Sequence, residues 1–448
     1  MKVGSALTVF LAIFLIFGLG IAQAWVAKGP YVQNPTTDAI SILWATDYPS
    51  QDTLEWGPDE SLGNVIEDSE PARSHEHRIT GLQPTTMYYY RVNAEGQTGE
   101  IKTFATATDT CSPFTFVLIG DTRSEHLTHQ INTEKIIDIH PDFVLNTGDI
   151  VDSEDDPWQN EILWQVHFSV ERELMDEVPL FPVAGNHDSG TEDIWARIFA
   201  LPDDASSSEL YYAFRYGNSL FAVVDTNQDV TVGSEQYVWL EQTLADAYDH
   251  PEVLHIFVSF HIPPYSAGEH ANNQTLIDNL TPLFETYHVQ AVLNGHDHNF
   301  QHMEKNGVRY FISGGGAASL HIHANPIPET VEFLYRHHYC IIDVNGAEVS
   351  LEAWGTFTGL NIYSYSWEDD MGKDPCADDD TTDDDTADDD TADDDTVDDD
   401  TSDDDQIDDD VTDDDVTDDD VTDDDYADDD VADDDDDDND DNDDGCGC

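Results

Sequence analysis

The spacing of apolar residues changes once along this chain, near residue 110. Between residues 25 and 108, apolar and polar positions alternate over short stretches, for example Ala39–Trp44 and Asp52–Gly57. A period of two is typical of half-buried β-strands, because successive side chains of a strand point to opposite faces of the sheet. Short strands separated by turn residues predict an all-β sandwich for residues 25–108.

The second region, from about Ser112 to Asp369, carries fully apolar runs instead of alternating ones. These runs are Phe114–Ile119, Phe143–Leu145, Leu220–Val224, Leu254–Phe260 and Val289–Leu293. Between them lie stretches with helical spacing, namely Thr133–His140, Trp158–Met175 and Ser234–Tyr248. Apolar strands that alternate with helices predict an α/β (α+β) domain whose β-sheet is covered on both faces.

The N-terminus has the pattern of a secretory signal peptide. Lys2 precedes an apolar run from about Val3 to Ile21, which closes with Ala22-Gln23-Ala24, a small-x-small cleavage pattern. Residues 1–24 are therefore predicted to be removed on export to a periplasmic, extracellular or cell-surface location. The run is also long enough to cross a bilayer, so an uncleaved anchor is the alternative.

The C-terminal segment, residues 376–448, is of low complexity and has a five-residue period such as Thr-Ala-Asp-Asp-Asp. Residues 377–448 hold 43 of the 98 acidic residues of the chain and no Lys or Arg. So little apolar surface cannot build a core, and the segment is predicted to be a disordered, self-repelling tail. Its carboxylates suit weak binding of Ca²⁺ at many positions, with a dedicated calcium-ordered module as the alternative. The tail is also a candidate for attachment to the cell surface.

Charge and cysteine content limit the choice of partners and compartments. The formal net charge is −83, and without the tail 55 acidic residues still face 15 basic ones. Such a surface repels a phosphate backbone, so we expect no nucleic acid as a stable partner. The five cysteines are too few for a disulfide scaffold. In an exported protein we expect one or two bridges, whose pairing the sequence leaves open.

Five short motifs each place Asp, Asn or His just after a predicted apolar strand. In chain order they are Gly120-Asp121-Thr122-Arg123, Gly148-Asp149-Ile150-Val151-Asp152, Gly185-Asn186-His187-Asp188, Val258-Ser259-Phe260-His261 and Gly295-His296-Asp297-His298. Side chains beyond the carboxyl ends of such strands form the ligand sites of α/β folds. A carboxylate can bridge two cations, and imidazole and amide groups complete each coordination sphere without excess charge. Each motif alone is explained as well by a turn or a helix cap, but the ordered set predicts a two-metal site.

Residues from Phe114 to about Trp354 resemble the calcineurin-like metallophosphoesterase superfamily on these motifs. The Val258-x-x-His261 and Gly295-His296-x-His298 motifs, together with the preceding β region, are most similar to those of purple acid phosphatases. The β region itself resembles a fibronectin type III domain, with Trp44 on an early core strand and a Leu-x-Pro-x-Thr-x-Tyr corner that ends at Tyr88. The resemblance implies a sandwich of mixed β-sheets flanked by helices for residues 112–369.

The resemblance also implies a role for each motif residue. The implied metal ligands are Asp121, Asp149, Asn186, His261, His296 and His298. Asp149 would bridge two ions of Fe, Zn or Mn, and a hydroxide shared by the ions would attack the phosphorus of a small phosphorylated substrate. His187 would face the leaving group, and Asp188 would orient His187.

Two positions depart from the family pattern. Purple acid phosphatases have a tyrosine three residues after the bridging Asp, where this chain has Asp152, so we do not expect it to be purple. Other members have a histidine two residues after the first Asp, where this chain has Arg123. Asp152 is therefore a candidate metal ligand, with a surface carboxylate as the alternative. Arg123 is expected to grip a phosphate oxygen, and a salt bridge to a nearby carboxylate is its alternative role.

The loop after His261 supplies two candidate substrate contacts, His270 and Tyr265. An ordinary exposed loop histidine is the alternative for His270. The run Gly314-Gly315-Gly316 is not followed by the lysine of a phosphate-binding loop, so we interpret it as a tight turn behind the site.

The sequence thus predicts an exported, metal-dependent hydrolase of phosphoric esters, similar to acid phosphatases and acting on phosphomonoesters. Phosphodiesters or nucleotides are the alternative substrates, because Arg123 and Asp152 alter the part of the site that distinguishes them. Outside enzymes, the alternative is a catalytically idle cell-surface protein with a calcium-binding tail. The oligomeric state stays open.

Overall fold

A computed structural model describes residues 26–94, 96–202 and 209–376 of the chain. The predicted signal peptide and the acidic tail beyond residue 376 lie outside the described residues, so both stay predictions. Within the described ranges, no helix combines the length and the apolar character needed to span a membrane.

Residues 26–105 form eight strands in two antiparallel sheets. The strands are β1 (Val26–Gln33), β2 (Ala39–Ser50), β3 (Thr53–Gly57), β4 (Asn64–Glu67), β5 (Ala72–Thr80), β6 (Met87–Ala94), β7 (Gln97–Thr98) and β8 (Lys102–Ala105). β1, β2 and β5 make one sheet, and β4, β3, β6 and β7 make the other, with β8 paired to β6. Both sheets contribute to one apolar core, in which Trp44 and Tyr90 are fully buried.

Strand β6 shows how the alternating pattern is used. Tyr88, Tyr90 and Val92 are buried, while the residues between them are partly exposed. The hydroxyl of Tyr88 accepts a hydrogen bond from the backbone N–H of Gln83 at 3.0 Å, which closes the turn that precedes the strand. The fibronectin type III character of this region stays a prediction.

Thirteen strands and six helices follow among the described residues. The strands are β9 (Phe114–Ile119), β10 (Phe143–Asn146), β11 (Leu180–Pro182), β12 (Tyr212–Tyr216), β13 (Ser219–Val223), β14 (His255–Ser259), β15 (Ala291–Asn294), β16 (Phe300–Lys305), β17 (Val308–Ser313), β18 (Thr330–Leu334), β19 (His338–Asn345), β20 (Glu348–Gly355) and β21 (Asn361–Glu368). The helices are α1 (His126–Ile139), α2 (Pro157–Met175), α3 (Glu192–Ile198), α4 (Glu235–Asp249), α5 (Gln274–Asn279) and α6 (Thr281–Thr286).

These strands make two mixed sheets, in the orders β11-β10-β9-β19-β20-β21 and β12-β13-β14-β15-β17-β16-β18. Aromatic side chains of both sheets meet in one core, where Phe116 contacts Phe221 and Phe257 edge-on. β9, β10 and β11 run parallel, and so do β13, β14, β15 and β17. The residues that follow the parallel strands of each sheet therefore emerge at one edge of that sheet.

One disulfide joins Cys111 and Cys376, which are 265 residues apart in the chain. It links the segment between the two-sheet region and β9 to the last described residue. Cys340 is a buried free thiol in β19. The pairing that the sequence left open is thus Cys111 with Cys376 among the described cysteines.

Candidate metal centre

The five motifs come together where the two mixed sheets meet. Asp121 follows β9, Asp149 follows β10 and Asn186 follows β11, while His261 follows β14 and His296 begins the turn after β15. The backbone φ angles of Asp121, Asp149 and His296 are positive, at 57°, 53° and 71°. Such left-handed conformations are uncommon for residues other than glycine, although Asp and His adopt them more readily than most, and they occur at turns and at functional sites. They turn the chain sharply off each strand.

Close contacts join the carboxylates of the first sheet to the imidazoles that follow strands of the second. His261 Nε2 lies 3.2 Å from Asp149 Oδ1, and His298 Nε2 lies 3.3 Å from Asp121 Oδ1. The ligand atoms of Asp121, Asp149 and His261 all lie within 4.8 Å of one another, and all three residues are buried. The two halves of the predicted ligand set therefore face each other across the sheet junction.

Backbone carbonyls fix the orientation of two of these imidazoles. His261 Nδ1 lies 2.8 Å from the carbonyl oxygen of Thr147, and His298 Nδ1 lies 2.6 Å from that of Ser319. A carbonyl only accepts, so each Nδ1 donates its proton and each Nε2 is the ring nitrogen that faces the carboxylates. Holding the remote nitrogen in this way is how proteins aim a histidine at a metal ion.

Unpaired atoms in the centre show that the residues fit cations. Among the described residues, Asp121 Oδ1 and Asn186 Oδ1 are buried without a hydrogen-bond donor. His296 Nδ1 lies 3.3 Å from His261 Nε2, so two ring nitrogens converge. Buried acceptors without donors are costly, and a cation bound between them would satisfy them.

The pKa values of the ligand side chains shift in different directions. Burial would raise the pKa of Asp149, but the charge of His261 and hydrogen bonds from His261 and from the His187 N–H hold it well below its ordinary value. Burial lowers the pKa of His296 to about 3, and the nearby histidines add to the effect. Burial would lower the pKa of His261 and of His298, but Asp149 raises that of His261 to about 9, and Asp121 raises that of His298. A metal ion that binds His261 must therefore displace a proton from its ring.

A glycine is required where the second and third motifs cross. A Cβ atom on Gly185 would lie 2.1 Å from the backbone nitrogen of Asp149 and 2.3 Å from its Oδ1. A Cβ on Gly314 would lie 2.7 Å from Asp121 Oδ2, which places the Gly314-Gly315-Gly316 run against the back of the centre. The run packs behind a metal ligand, as a tight turn would.

Comparison with known proteins identifies the domain. Residues 114–300 match the model of the calcineurin-like phosphoesterase family. This chain contains a calcineurin-like phosphoesterase domain. Domains of this family use a dinuclear metal centre, and the strand-end ligands all lie on the matched residues.

The relatives of the phosphoesterase domain include acid phosphatases. The chain is 26% identical over 263 residues to purple acid phosphatase 15 of Arabidopsis thaliana, covering 51% of this chain and 49% of that protein. It is 31% identical over 206 residues to human tartrate-resistant acid phosphatase type 5, covering 39% of this chain and 61% of that protein. The chain thus spans about half to three fifths of the length of these two relatives.

Two solved structures share the fold. A purple acid phosphatase from yellow lupin seeds superposes with a TM-score of 0.64 at 18% identity, over 76% of this chain and 74% of that one. PhoD superposes with a TM-score of 0.60 at 13% identity, over 79% of this chain and 92% of that one. At these identities the likeness establishes the fold of the phosphoesterase domain and leaves its substrate open.

The structure places Asp152 and Asp188 differently from the sequence-based expectation. Asp152 is not among the clustered ligands of the described residues; its side chain is 49% exposed, its Oδ1 lies 2.7 Å from His187 Nδ1, and its Oδ2 lies 3.3 Å from Arg123 Nη1. Asp188 accepts hydrogen bonds from the backbone N–H groups of Val151 and Gly185, both at 2.9 Å. The carboxylate that orients His187 is thus Asp152, since Asp188 is buried and occupied with the backbone.

Arg123 is held at the edge of the phosphoesterase centre by two carboxylates. Its Nε lies 3.3 Å from Asp149 Oδ2, and its Nη1 lies 3.3 Å from Asp152 Oδ2. Its side chain is 16% exposed. These contacts are the salt bridges that the sequence predicts as the alternative role of Arg123. They also hold the guanidinium beside the ligand Asp149, where it adds positive charge.

The loop after His261 contributes one of its two candidate residues. The exposed ring of His270 lies beside that of His296, with 4.1 Å between the ring centroids. Tyr265 does not reach the centre, because its ring is buried in the second apolar core and packs edge-on against Tyr310. Tyr265 is therefore a core residue, and its expected role as a substrate contact is wrong.

Sequence reasoning missed Asp297 and His321. Asp297 accepts hydrogen bonds from the Ser266 hydroxyl and from the backbone N–H of His270 at 3.2 Å, and His321 Nδ1 lies 3.3 Å from its carboxylate. The ring of His321 stacks on that of His298 with 3.9 Å between centroids. Asp297 lies inside the fifth motif, so its position in the sequence could have indicated a role at the site. His321 lies in an irregular segment, and no sequence pattern there indicates a role.

Proposed function

We propose that this chain is an exported phosphoesterase that hydrolyses phosphomonoesters with two bound metal ions. The observation that carries the proposal is the chain of contacts between the two carboxylates and the three imidazoles of the motifs, together with buried oxygen atoms that lack donors on Asp121 and Asn186. Two side chains that can carry positive charge, Arg123 and His187, border this group. A centre of this composition is suited to an anionic substrate.

The ligand set would hold two ions, and Asp149 would contribute to both. One ion would be held by Asp121, Asp149 and His298, and the other by Asp149, Asn186, His261 and His296. When bound, such ions polarise a phosphoryl group and lower the pKa of a water molecule towards neutral. Imidazole with carboxylate suits Fe, Zn or Mn, and the structure favours none of the three.

The contacts of His187 support a role at the leaving group. Its Nδ1 is held by Asp152 at 2.7 Å, while its Nε2 lies 4.0 Å from Asp149 Oδ2 and so points towards the centre. The side chain is 37% exposed, which leaves it accessible from solvent. In its protonated form His187 can donate a proton from Nε2 to the departing alcohol oxygen, and Asp152 keeps the ring in that orientation.

Arg123 supports the choice of monoesters over diesters. Near neutral pH a phosphomonoester carries more negative charge than a diester, and a rigid guanidinium beside the centre offsets that charge. Two carboxylates fix the guanidinium, so it is positioned before a substrate arrives. Pre-positioned charge of this kind contributes to catalysis without reorganisation during the reaction.

Export is supported by two features of the chain. The N-terminal pattern is that of a signal peptide. The Cys111–Cys376 disulfide suits the oxidising environment of exported proteins. Weak calcium binding and surface attachment by the acidic tail belong to this proposal as well.

The test is a comparison of two nitrophenyl esters. The full chain is loaded separately with Fe, Zn and Mn, and hydrolysis of a nitrophenyl phosphomonoester is compared with that of the matching diester. The proposal expects a monoester preference with at least one metal. A diester preference would move the function to phosphodiester hydrolysis, and no turnover with any metal would favour an idle surface-binding protein.

A further inference from the structure

A second group of possible metal ligands lies between helices α1 and α2, outside the five motifs. His129 comes from α1, and His167 and Glu171 come from α2, one turn apart on the same helix face. Their side chains are only 2%, 2% and 3% exposed. One ligand atom from each residue lies within 4.8 Å of the others. Three buried metal-binding side chains on two helices thus face one another.

The hydrogen bonds of this group are incomplete. His129 Nε2 lies 2.6 Å from Glu171 Oε1, so these two atoms form one hydrogen bond. His167 has no hydrogen-bond partner on either ring nitrogen within the part of the chain that the structure describes, and Glu171 Oε2 has none either. His167 Nε2 lies 3.6 Å from that same Oε2, close enough for both to bind one ion. An apolar core would not normally keep an imidazole with both nitrogens unpaired.

A small cavity adjoins the two histidines. It leaves about 10 Å³ for the centre of a water molecule, which is room for about one water. Its other walls are formed by Thr122, Arg123, His126, Ile150, Val151 and Leu163. The hydroxyl of Thr122 is buried and also lacks a partner among the described residues. The cavity can therefore hold the water that completes a four-coordinate metal ion.

We propose that His129, His167 and Glu171 bind a further divalent cation of the zinc type, in a site distinct from the five-motif centre. Two imidazoles and one carboxylate, with a water in the fourth position, are a ligand set that Zn²⁺ accepts. Ca²⁺ and Mg²⁺ are disfavoured because they prefer oxygen ligands throughout.

The ion would stabilise the scaffold beside the phosphoesterase centre. It would cross-link α1 to α2, and the walls of its cavity include Arg123 and Val151. These residues belong to the first and second motifs, so the ion would stiffen the segments that carry Arg123 and Asp152. The site does not depend on the proposed function and would exist in a catalytically idle protein as well.

Metal content tests the site directly. The full chain is saturated with Zn²⁺ and dialysed against Ca²⁺, so that calcium displaces zinc from the acidic tail, and zinc per chain is measured by mass spectrometry. Glu171→Gln and His167→Phe, which preserve shape or aromatic volume, are each expected to hold one zinc fewer than the wild type. His338→Gln, at a buried histidine outside the group, should hold the wild-type number. Equal zinc in the wild type and in a folded Glu171→Gln or His167→Phe variant would overturn the proposal.

Anomalous diffraction gives a second measurement that needs no variant. Crystals of the zinc-loaded wild-type chain, measured at the zinc absorption edge, should show an anomalous peak between His129, His167 and Glu171. A peak at the five-motif centre with none between α1 and α2 would overturn the proposal, even if every variant failed to fold.

Discussion

His187 Nδ1 lies 2.7 Å from Asp152 Oδ1, and Oδ2 of the same carboxylate lies 3.3 Å from Arg123 Nη1. Asp152 stands where purple acid phosphatases have a tyrosine, and Arg123 stands where other members of the superfamily have a histidine. They contact each other, and Asp152 also contacts His187. The two departures therefore occur together at the edge of the metal centre. Arg123 and Asp152 form an ion pair there, where other family members have a residue that can bind the metal.

Asp152→Asn tests the role of this carboxylate. We expect kcat to fall about 10- to 100-fold, because His187 loses the acceptor that orients it, while both metal ions remain bound. Steady-state kinetics and metal content measured on one preparation check this. Asp155→Asn, at an exposed residue nearby, serves as the control. Loss of a metal ion from Asp152→Asn would show that Asp152 is a ligand after all.

Arg123→Met tests the phosphate contact. Removing a pre-positioned guanidinium should raise KM for a phosphomonoester and weaken inhibition by phosphate about tenfold or more, since hydrogen bonds to charged groups contribute about 1.5–3 kcal/mol. Arg215→Met removes another carboxylate-paired arginine, which lies 3.0 Å from Glu252, and should leave both quantities unchanged. An unchanged KM in Arg123→Met would show that Arg123 forms salt bridges but does not bind the phosphate of the substrate.

Gly185→Ala tests the crossing of the second and third motifs. The added methyl would meet the Asp149 backbone at 2.1 Å, so the bridging carboxylate must move. We expect a loss of activity of about 100-fold or more and a destabilisation of about 1–3 kcal/mol. Gly190→Ala is the control: nothing lies within 4 Å of the new methyl, and the positive φ of Gly190, at 83°, adds backbone strain that Gly185 does not have. It should lose about 1–2 kcal/mol of stability and keep its activity. Normal activity of Gly185→Ala would mean that Asp149 tolerates displacement.

His338 predicts how stability depends on pH. Burial lowers its pKa from 6.5 to about 4, against the opposing hydrogen bond to the Arg336 carbonyl. The unfolded chain therefore binds more protons than the folded one between pH 6.5 and 4, and stability falls as pH drops through this window. His338→Gln does not titrate, so its free energy of unfolding should fall less between pH 7 and pH 4, by up to about 3 kcal/mol. Urea unfolding at several pH values measures the difference, and identical pH dependence of both proteins would contradict this account.

The strand ends were predictable because their chemistry is local. An apolar run followed by Gly-Asp or Gly-Asn marks both the end of a buried strand and the ligand beyond it, so Asp121, Asp149 and Asn186 could be located from the sequence. The directions of the side chains that follow these ligands could not be predicted. Asp152 and Asp188 are both within three residues of a predicted ligand, and the geometry of their turns decides which of them meets His187.

Long-range packing accounts for the other differences. Tyr265 was expected at the site because it follows a ligand, but the second core offers its ring an apolar contact with Tyr310. The buried group of His129, His167 and Glu171 could not be predicted from the sequence, which shows only that His167 and Glu171 are one helical turn apart on α2. Its third member lies on α1, and only the packing of the two helices brings it within reach.

Metal-dependent turnover of the wild type and of Asn186→Ala tests the central claim most directly. The full chain is loaded with Fe, Zn or Mn and assayed on a nitrophenyl phosphomonoester, with Asp149→Asn as a second variant. We expect turnover in the wild type, its loss on chelation, and nearly complete loss in both variants, because each removes an atom from the predicted coordination spheres. Full activity in Asn186→Ala, or turnover that persists after the metal is removed, would contradict the account.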